Sequence, residues 1–415
     1  MVEADSRAKL EDLNLPPFFT MRFLRTPEQL AFRQEARSWI EANLPREWRH
    51  NGKINRPASV AEVGIHLCWE RKLFAHGWSG LHWPVRHGGR GLSVMEHLIF
   101  QEELGISGAP EGVNGIGREL VGPILMSLGT PEQQDRYLRR ILSAEDVWCQ
   151  GFSEPDAGSD LSALRTRAKR MDQGWRIDGQ KVWTSHAQVA KYCLLLARVD
   201  IDAAERGPIA MFLVPMDAQG MDVRPIEQIN GKDDFCEVFF DGVEISTDAL
   251  VGTVEEGWRA ANEVLSVERG INKLYRQASF LGELLTIHHL CESYEPQLQV
   301  RGQIHAFRHR ISELYGDLQM MRYRNFALVS RLLRGERLGS DTSAHKLNWS
   351  ELHQRITQVG LDLLCALNGQ FSGTGPVSER LLYAYLASRA ETIFAGTSQV
   401  QRDIVSQRVL ELPRR

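Results

Sequence analysis

The sequence predicts an α+β fold that is mostly helical: an N-terminal helical domain, a central β-barrel or sandwich, and a C-terminal helical bundle. Three observations carry this. Apolar residues recur at helical spacing up to about Asp146, strand-like runs broken by Gly and Asp fill the middle, and long amphipathic stretches return after Gly257. At 415 residues the chain exceeds what one hydrophobic core ordinarily serves. The expected division is a tail over 1–26, helices over 27–146, a β-domain over 147–256 and a bundle over 257–415.

In the first region Leu30, Phe32, Ala36, Trp39 and Ile40 mark one helix, which Pro45 stops. A second runs through Val94–Leu104, and Thr130-Pro131-Glu132 has the form of an N-cap followed by proline at the first helical position. Between these two, Gly77–Gly91 is dense in Gly, Trp and Pro and reads as an irregular packed segment. In the middle region, Trp175–Ile177 and Gln180–Trp183 flank Asp178-Gly179, which predicts a hairpin with a type I′ turn. Further strands are expected at Tyr192–Ala197, Ala210–Val214, Val223–Ile229 and Cys236–Phe240. Trp258–Leu285, Gln303–Arg334, Ser343–Leu367, Pro376–Ala395 and Gln399–Leu412 then supply an antiparallel helical bundle.

Composition excludes several classes. Hydrophobic residues make up 43% and charged residues 25%, a balance that a disordered chain does not have. A net charge of −4 gives no electrostatic drive toward nucleic acid. The six cysteines lie far apart with no CxxC pair, and no metal-ligand spacing is present; His288-His289 is followed by Cys291 and Glu292, not by an HExxH pattern. No apolar run approaches the roughly 20 residues that span a bilayer. The acidic, charge-mixed start fits neither a signal nor a transit peptide, so a reduced, cytoplasmic protein with no metal and no membrane partner is expected.

The densest chemical signal is Gly151-Phe-Ser-Glu-Pro-Asp-Ala-Gly-Ser-Asp160 at the mouth of the β region. Its small residues, free backbone N–H groups and the hydroxyls of Ser153 and Ser159 suit close approach to a flat ring or a phosphate. Taken alone it also fits a polar connecting turn. Lys181-Val-Trp183-Thr184-Ser185 adds an aromatic wall with two hydroxyls, an arrangement that by itself also occurs in ordinary strands.

Together these motifs resemble the acyl-CoA dehydrogenase family. Gly151–Ala163 is similar to that family's first signature, Gly179–Ser185 to its flavin-facing strand, and Ala395-Gly-Thr-Ser-Gln-Val-Gln-Arg402 to its C-terminal signature. The segments Gly77–Gly80, Gly88–Gly91 and Gly129–Gln134 are also typical, so the resemblance runs in order from about Pro27 to the C-terminus. It implies N-terminal helices, a central β-domain and a C-terminal four-helix bundle. It also implies FAD-dependent desaturation of an acyl-CoA thioester to the trans-2-enoyl-CoA, with hydride passing to flavin N5. Phe152 and Ser153 would border the flavin ring, Trp183 would cover a face, and Thr184 and Ser185 would lie beside N5. Thr397 and Gln399 would meet the phosphate or adenine half, and Ser159 the CoA moiety. No GxGxxG follows a strand, so a Rossmann mode of FAD binding is not expected.

Many family members carry their catalytic glutamate directly before the C-terminal Gly-Thr, where this chain has Ala395. The isovaleryl-type members place it on the first bundle helix before an arginine, matching Glu268-Arg269. The resemblance therefore assigns proton abstraction to Glu268 and substrate orientation to Arg269, although in isolation Glu-Arg on a helix reads as a surface ion pair. The relocated base points to branched or bulky acyl groups.

Two family features are missing. The Arg-x-x-Phe-Gly element that reaches a neighbouring subunit's FAD has no counterpart around Tyr294–Leu298, and a glycine pair is replaced by Cys365-Ala366. An active homodimer or homotetramer that passes electrons to an electron-transfer flavoprotein is the first expectation. The alternatives are a half-site subunit paired with a paralogue, or another flavin oxidase or monooxygenase reaction on the same fold. His186, after Thr184-Ser185, is expected to be structural.

Overall fold

The computed structural model describes residues 26–45, 48, 60–110, 112–200, 207–268, 276–336, 338–367 and 376–413. Helix α1 (Pro27–Asn43) begins at Thr26, whose hydroxyl accepts from the Gln29 amide while the Gln29 side chain answers the cap's own N–H, a capping box. The rest of the expected tail lies outside the described residues. Helix α2 (Val60–Ala75) was not expected from the sequence: it carries no clean apolar stripe, because its charged Glu70 is itself fully buried. Helices α3 (Val94–Ser107), α4 (Gly122–Leu128) and α5 (Pro131–Leu142) complete the N-terminal domain, α3 and α5 each opening on a capping box at Ser93 and Thr130.

The segment 77–91 is irregular and packed, as expected. Leu92 donates to the Leu81 carbonyl (2.9 Å) and Gly91 to that of Trp83 (2.9 Å), which folds the loop back on itself with Trp83 at its centre. A Cβ added at Gly89 would run into the Trp83 carbonyl oxygen and stand 2.6 Å from that of Gly80. Backbone cannot swing aside, so Gly89→Ala is expected to cost about 1–3 kcal/mol, read as a lowered thermal midpoint.

The central domain is a seven-stranded sheet among the described residues: β1 (Trp148–Gly151), β2 (Arg167–Met171), β3 (Gly174–Ser185), β4 (Tyr192–Val199), β5 (Ile209–Pro215), β6 (Met221–Ile226) and β7 (Phe235–Ser246). β5 pairs antiparallel with β4, β1 and β2 both lie along β4's other edge in parallel, and the order continues β2–β3–β7–β6. One expectation is corrected here. Asp178-Gly179 is not a hairpin turn; β3 runs straight through it, with a register shift against β7 between Ile177 and Gly179. Asp178 instead accepts from the Gly242 amide of β7 (2.8 Å), so the turn-forming side chain caps an irregularity within one strand. The hairpin is β2–β3, closing where Met171 pairs with Gly174.

The bundle holds α6 (Gly257–Glu268), α7 (Arg276–Ser293), α8 (Glu295–Val300), α9 (Ile304–Leu333), α10 (Asp341–Ala366) and α11 (Pro376–Glu391), then α12 (Ser398–Ile404). Its core includes Phe280, Leu318, Trp349, Ile356 and Leu363, all buried. α6 starts against the sheet: a Cβ at Gly257 would collide with the Ile209 carbonyl and lie 2.5 Å from the Ala210 Cα. The N-terminal domain and sheet are joined by buried Asn114, which donates to the Ile141 and Asp146 carbonyls (both 2.9 Å) and accepts from the Trp148 amide (3.0 Å). Among the described residues no helix is long and apolar enough to cross a membrane.

Candidate active site

The flavin-type motif is organised by a charge that sequence reading left unexplained. Lys181 is fully buried, and its ammonium donates to Glu154 (2.8 Å) and to the Phe152 carbonyl (3.1 Å). Glu154 also accepts from the Arg165 (2.6 Å) and Thr166 (2.9 Å) amides, so the first part of the Gly151–Asp160 loop is tied both to β3 and to the stretch that leads into β2. Burial draws the Lys181 pKa down to about 8 against the pull of Glu154. Burial works the other way on Glu154, but Lys181 and the two amides hold its carboxyl below the ordinary value.

Strict alternation along β3 would bury Trp175, Ile177, Lys181 and then Trp183. A second register shift between Lys181 and Thr184 reverses the sides. Trp183 takes a left-handed backbone conformation (φ +60°) and stands 57% exposed, its ring edge-on to Phe235 at 6.2 Å. Thr184 turns inward, fully buried, and its hydroxyl has no hydrogen-bond partner. An exposed indole beside a buried, unanswered hydroxyl fits a planar heterocycle with a polar edge. Phe152 is buried and Ser153 half-buried, with the Ser153 carbonyl accepting from Val182 (2.9 Å). Ser185 is half-buried and pairs with Phe235 at the end of β7, while Ser159 is exposed. His186 follows in a left-handed turn, its amide donating to the Asp234 carbonyl (2.7 Å).

At the far end of the chain, Thr397 caps α12 by accepting from the Val400 amide (3.2 Å). Thr397 and exposed Gln399 border a surface groove of about 820 Å³ shared with Arg389 and Glu313 and with Arg355 and Arg402, which pair with Asp317 and Glu351 (both 2.6 Å). Ala395 holds a left-handed conformation (φ +52°), and the following Gly396 carbonyl is fixed by Lys346 (2.8 Å). Glu268 is the last residue of α6, its side chain outside the described residues, as is Arg269.

Between the N-terminal domain and the bundle lies a cavity of about 180 Å³, walled on one side by Trp78 stacked on Phe100 (4.8 Å, 16°). Its bundle wall carries an ionic cluster absent from every motif. His353 bridges Glu391 (2.6 Å) and Glu283 (2.8 Å) and stacks on Phe280 (4.1 Å), while Arg276 bonds Glu391 (2.7 Å) and lies over Trp349 (4.1 Å). Burial opposes a charge on His353, yet the two carboxylates outweigh it and lift its pKa to about 10. Burial likewise raises Glu391, but His353 and Arg276 keep it below the ordinary range. The one sequence signal was weak: Glu391 falls one helical turn before Ala395. In the sequence departures, Leu298 of α8 is fully buried in the bundle, and the Ala366 carbonyl accepts from Arg301.

Helices, sheet and bundle follow one another in this order, with an exposed indole and a buried hydroxyl without a partner on the sheet. The chain belongs to the acyl-CoA dehydrogenase family: its N-terminal domain model matches residues 26–145, its middle domain model 149–243 and its C-terminal domain model 255–410. It is 36% identical to acyl-CoA dehydrogenase IpdE1 of Mycobacterium tuberculosis over 92% of this chain and 97% of that one. Among solved structures it is similar to the ChsE4-ChsE5 complex from Mycobacterium tuberculosis (TM-score 0.79, 28% identity, 95% of this chain and 100% of the other). It is also similar to the Tcur3481-Tcur3483 steroid ACAD (TM-score 0.78, 27% identity, 95% and 100%). The protein is an acyl-CoA dehydrogenase, and the family is FAD-dependent.

Proposed function

We propose that this chain binds FAD and desaturates an acyl-CoA thioester between its α and β carbons, with Glu268 taking the α-proton. The observation that carries the reading is the side reversal in β3, which offers Trp183 as a ring face and leaves the buried Thr184 hydroxyl without a partner. Phe152, Ser153, Trp183, Thr184 and Ser185 would hold the flavin ring, and Thr397 with Gln399 its phosphate or adenine half. When bound, the flavin accepts the β-hydride. The protein aligns the thioester, excludes water and holds a carboxylate whose pKa sits near the operating pH. Ala395 cannot take a proton, and the cavity carboxylates Glu283 and Glu391 are both bonded by a charged His353. Those facts favour Glu268, with Arg269 orienting the substrate and Ser159 meeting the CoA. An electron-transfer flavoprotein is the expected acceptor.

A bulky acyl group is favoured by the similarity to a steroid ACAD. A second reading, a subunit working beside a paralogue, is favoured by α8, which buries Leu298 where many relatives carry Arg-x-x-Phe-Gly, and by similarity to a structure described as the ChsE4-ChsE5 complex. The test is a flavin absorbance scan of the purified protein, then anaerobic addition of an acyl-CoA panel. Bound flavin that bleaches with one class of acyl-CoA is the expected result. Protein without flavin, or flavin that no acyl-CoA bleaches, overturns the reading; flavin only in the presence of a co-purified second chain supports the paired form.

A further inference from the structure

The buried charge of Lys181 has no part in the chemistry above, although it sits directly behind the loop that would border the flavin. Its ammonium is shared between a Glu154 oxygen (2.8 Å) and the Phe152 carbonyl (3.1 Å). The peptide between Phe152 and Ser153 is trans, so its C=O and N–H point in opposite directions. With the carbonyl drawn toward the buried ammonium, the Ser153 N–H is aimed away from it. Among the described residues no acceptor meets that N–H. The next carbonyl, that of Ser153, accepts from the Val182 amide (2.9 Å), which fixes this peptide beside the slip at 181–184 that exposes Trp183. Two adjacent residues of β3 thus hold two consecutive peptides of the loop.

A carbonyl that accepts from a cation polarises its whole peptide, and the N–H at the other end becomes a stronger donor. Burial lowers the Lys181 pKa only to about 8, so the ammonium is charged near neutral pH. Glu154 does not cancel this at the loop. Its oxygens also accept from the Arg165 and Thr166 amides, which draw its negative charge toward the stretch before β2. Receiving a hydride adds one negative charge to a flavin ring. A donor fixed in advance and strengthened by a buried cation bonds the charged ring better than the neutral one.

Resting on the FAD reading, we propose that Lys181 is a positioning residue for the flavin: acting through the Phe152–Ser153 peptide, its charge strengthens the Ser153 N–H as a donor to the ring and so stabilises the reduced cofactor over the oxidised one. Lys181 touches neither ring nor substrate in this scheme. Its effect is carried by one peptide, and it differs from a structural role in acting on the two redox forms unequally.

The test uses the full-length protein loaded with FAD, with any chain that co-purifies. The double variant Lys181→Gln with Glu154→Gln removes both buried charges and keeps an amide donor for the Phe152 carbonyl. Redox titration against dyes gives the flavin midpoint potential, and equilibrium dialysis gives the affinity for oxidised FAD. Reduced FAD is expected to lose about tenfold in affinity relative to oxidised FAD, the scale of one weakened charge-assisted bond, which lowers the potential of this two-electron couple by about 30 mV. Lys181→Arg keeps the charge and should stay near the wild-type potential. A pair that serves structure alone would lower the thermal midpoint or weaken both redox forms equally. An unmoved or raised potential in the double variant, a folded double variant that binds no FAD, or a Lys181→Arg potential as low as that of the double variant overturns the proposal. Should the double variant fail to fold, Lys181→Gln alone carries the same expectation. A wild-type protein that binds no FAD would instead remove the flavin reading, and this proposal with it.

Discussion

Replacing Glu268 by glutamine is expected to slow acyl-CoA-dependent flavin reduction by about 10²–10⁴-fold, the usual contribution of a positioned general base. Acyl-CoA affinity should change little, because the amide keeps the carboxylate's size and loses only its ability to take a proton. The expectation follows from where carboxylates are free to act. At the position before Gly396-Thr397, Ala395 has no acid group. Glu391, one turn earlier, accepts from both Arg276 and His353, and a carboxylate held by two cations has too low a basicity to draw an α-proton. Stopped-flow bleaching of the variant under anaerobic conditions checks this. A wild-type rate would remove Glu268 from the reaction while leaving the fold assignment untouched.

The second large effect concerns stability. His353→Leu leaves Glu391 and Glu283 in the bundle without the cation between them. Breaking a buried charge cluster from one side costs about 3–5 kcal/mol, and the low end is expected here because Arg276 still reaches Glu391. The pH dependence gives the sign. The folded His353 pKa lies near 10, above its ordinary 6.5, so its contribution is whole below about 6.5 and fades as pH rises toward 10. Glu391 is shifted down, so its contribution is whole above its ordinary 4.5 and fades as pH falls below that. Thermal midpoints of the wild-type and variant proteins should therefore differ most between about pH 4.5 and 6.5 and converge toward pH 10. A gap that widens with rising pH would mean that His353 is not the charged member.

Much of the architecture was legible because its signals are local. Thr130-Pro131 and the periodic run before Pro45 state where helices begin and end, and the Gly-rich loops state where backbone must pass close to backbone. Helix α2 escaped because its pattern mixes a buried Glu70 into the apolar face. That carboxylate is tolerable only because the Val113 and Asn114 amides and Arg118, more than 40 residues away, come to meet it. The same reason hid His353, Glu283, Arg276 and Glu391, which gain meaning only when α7, α10 and α11 are packed together. Asp178-Gly179 misled for a different reason. A pair suited to a reversal can equally serve a strand irregularity, and only the partner strand decides between them.

Lys181 and Trp183 are two residues apart on β3, yet one ends in the protein's interior and the other in solvent. The strand behaves like a text with a shifted reading frame. Upstream of the slip, Trp175, Ile177 and Lys181 face in; downstream, Thr184 does. Were β3 to keep strict alternation against β7 through Thr184 instead of slipping by one residue, the indole would turn into the core and the hydroxyl outward. The platform for a flat ligand thus depends on a counting error kept in one place, more than on the identity of any side chain that displays it.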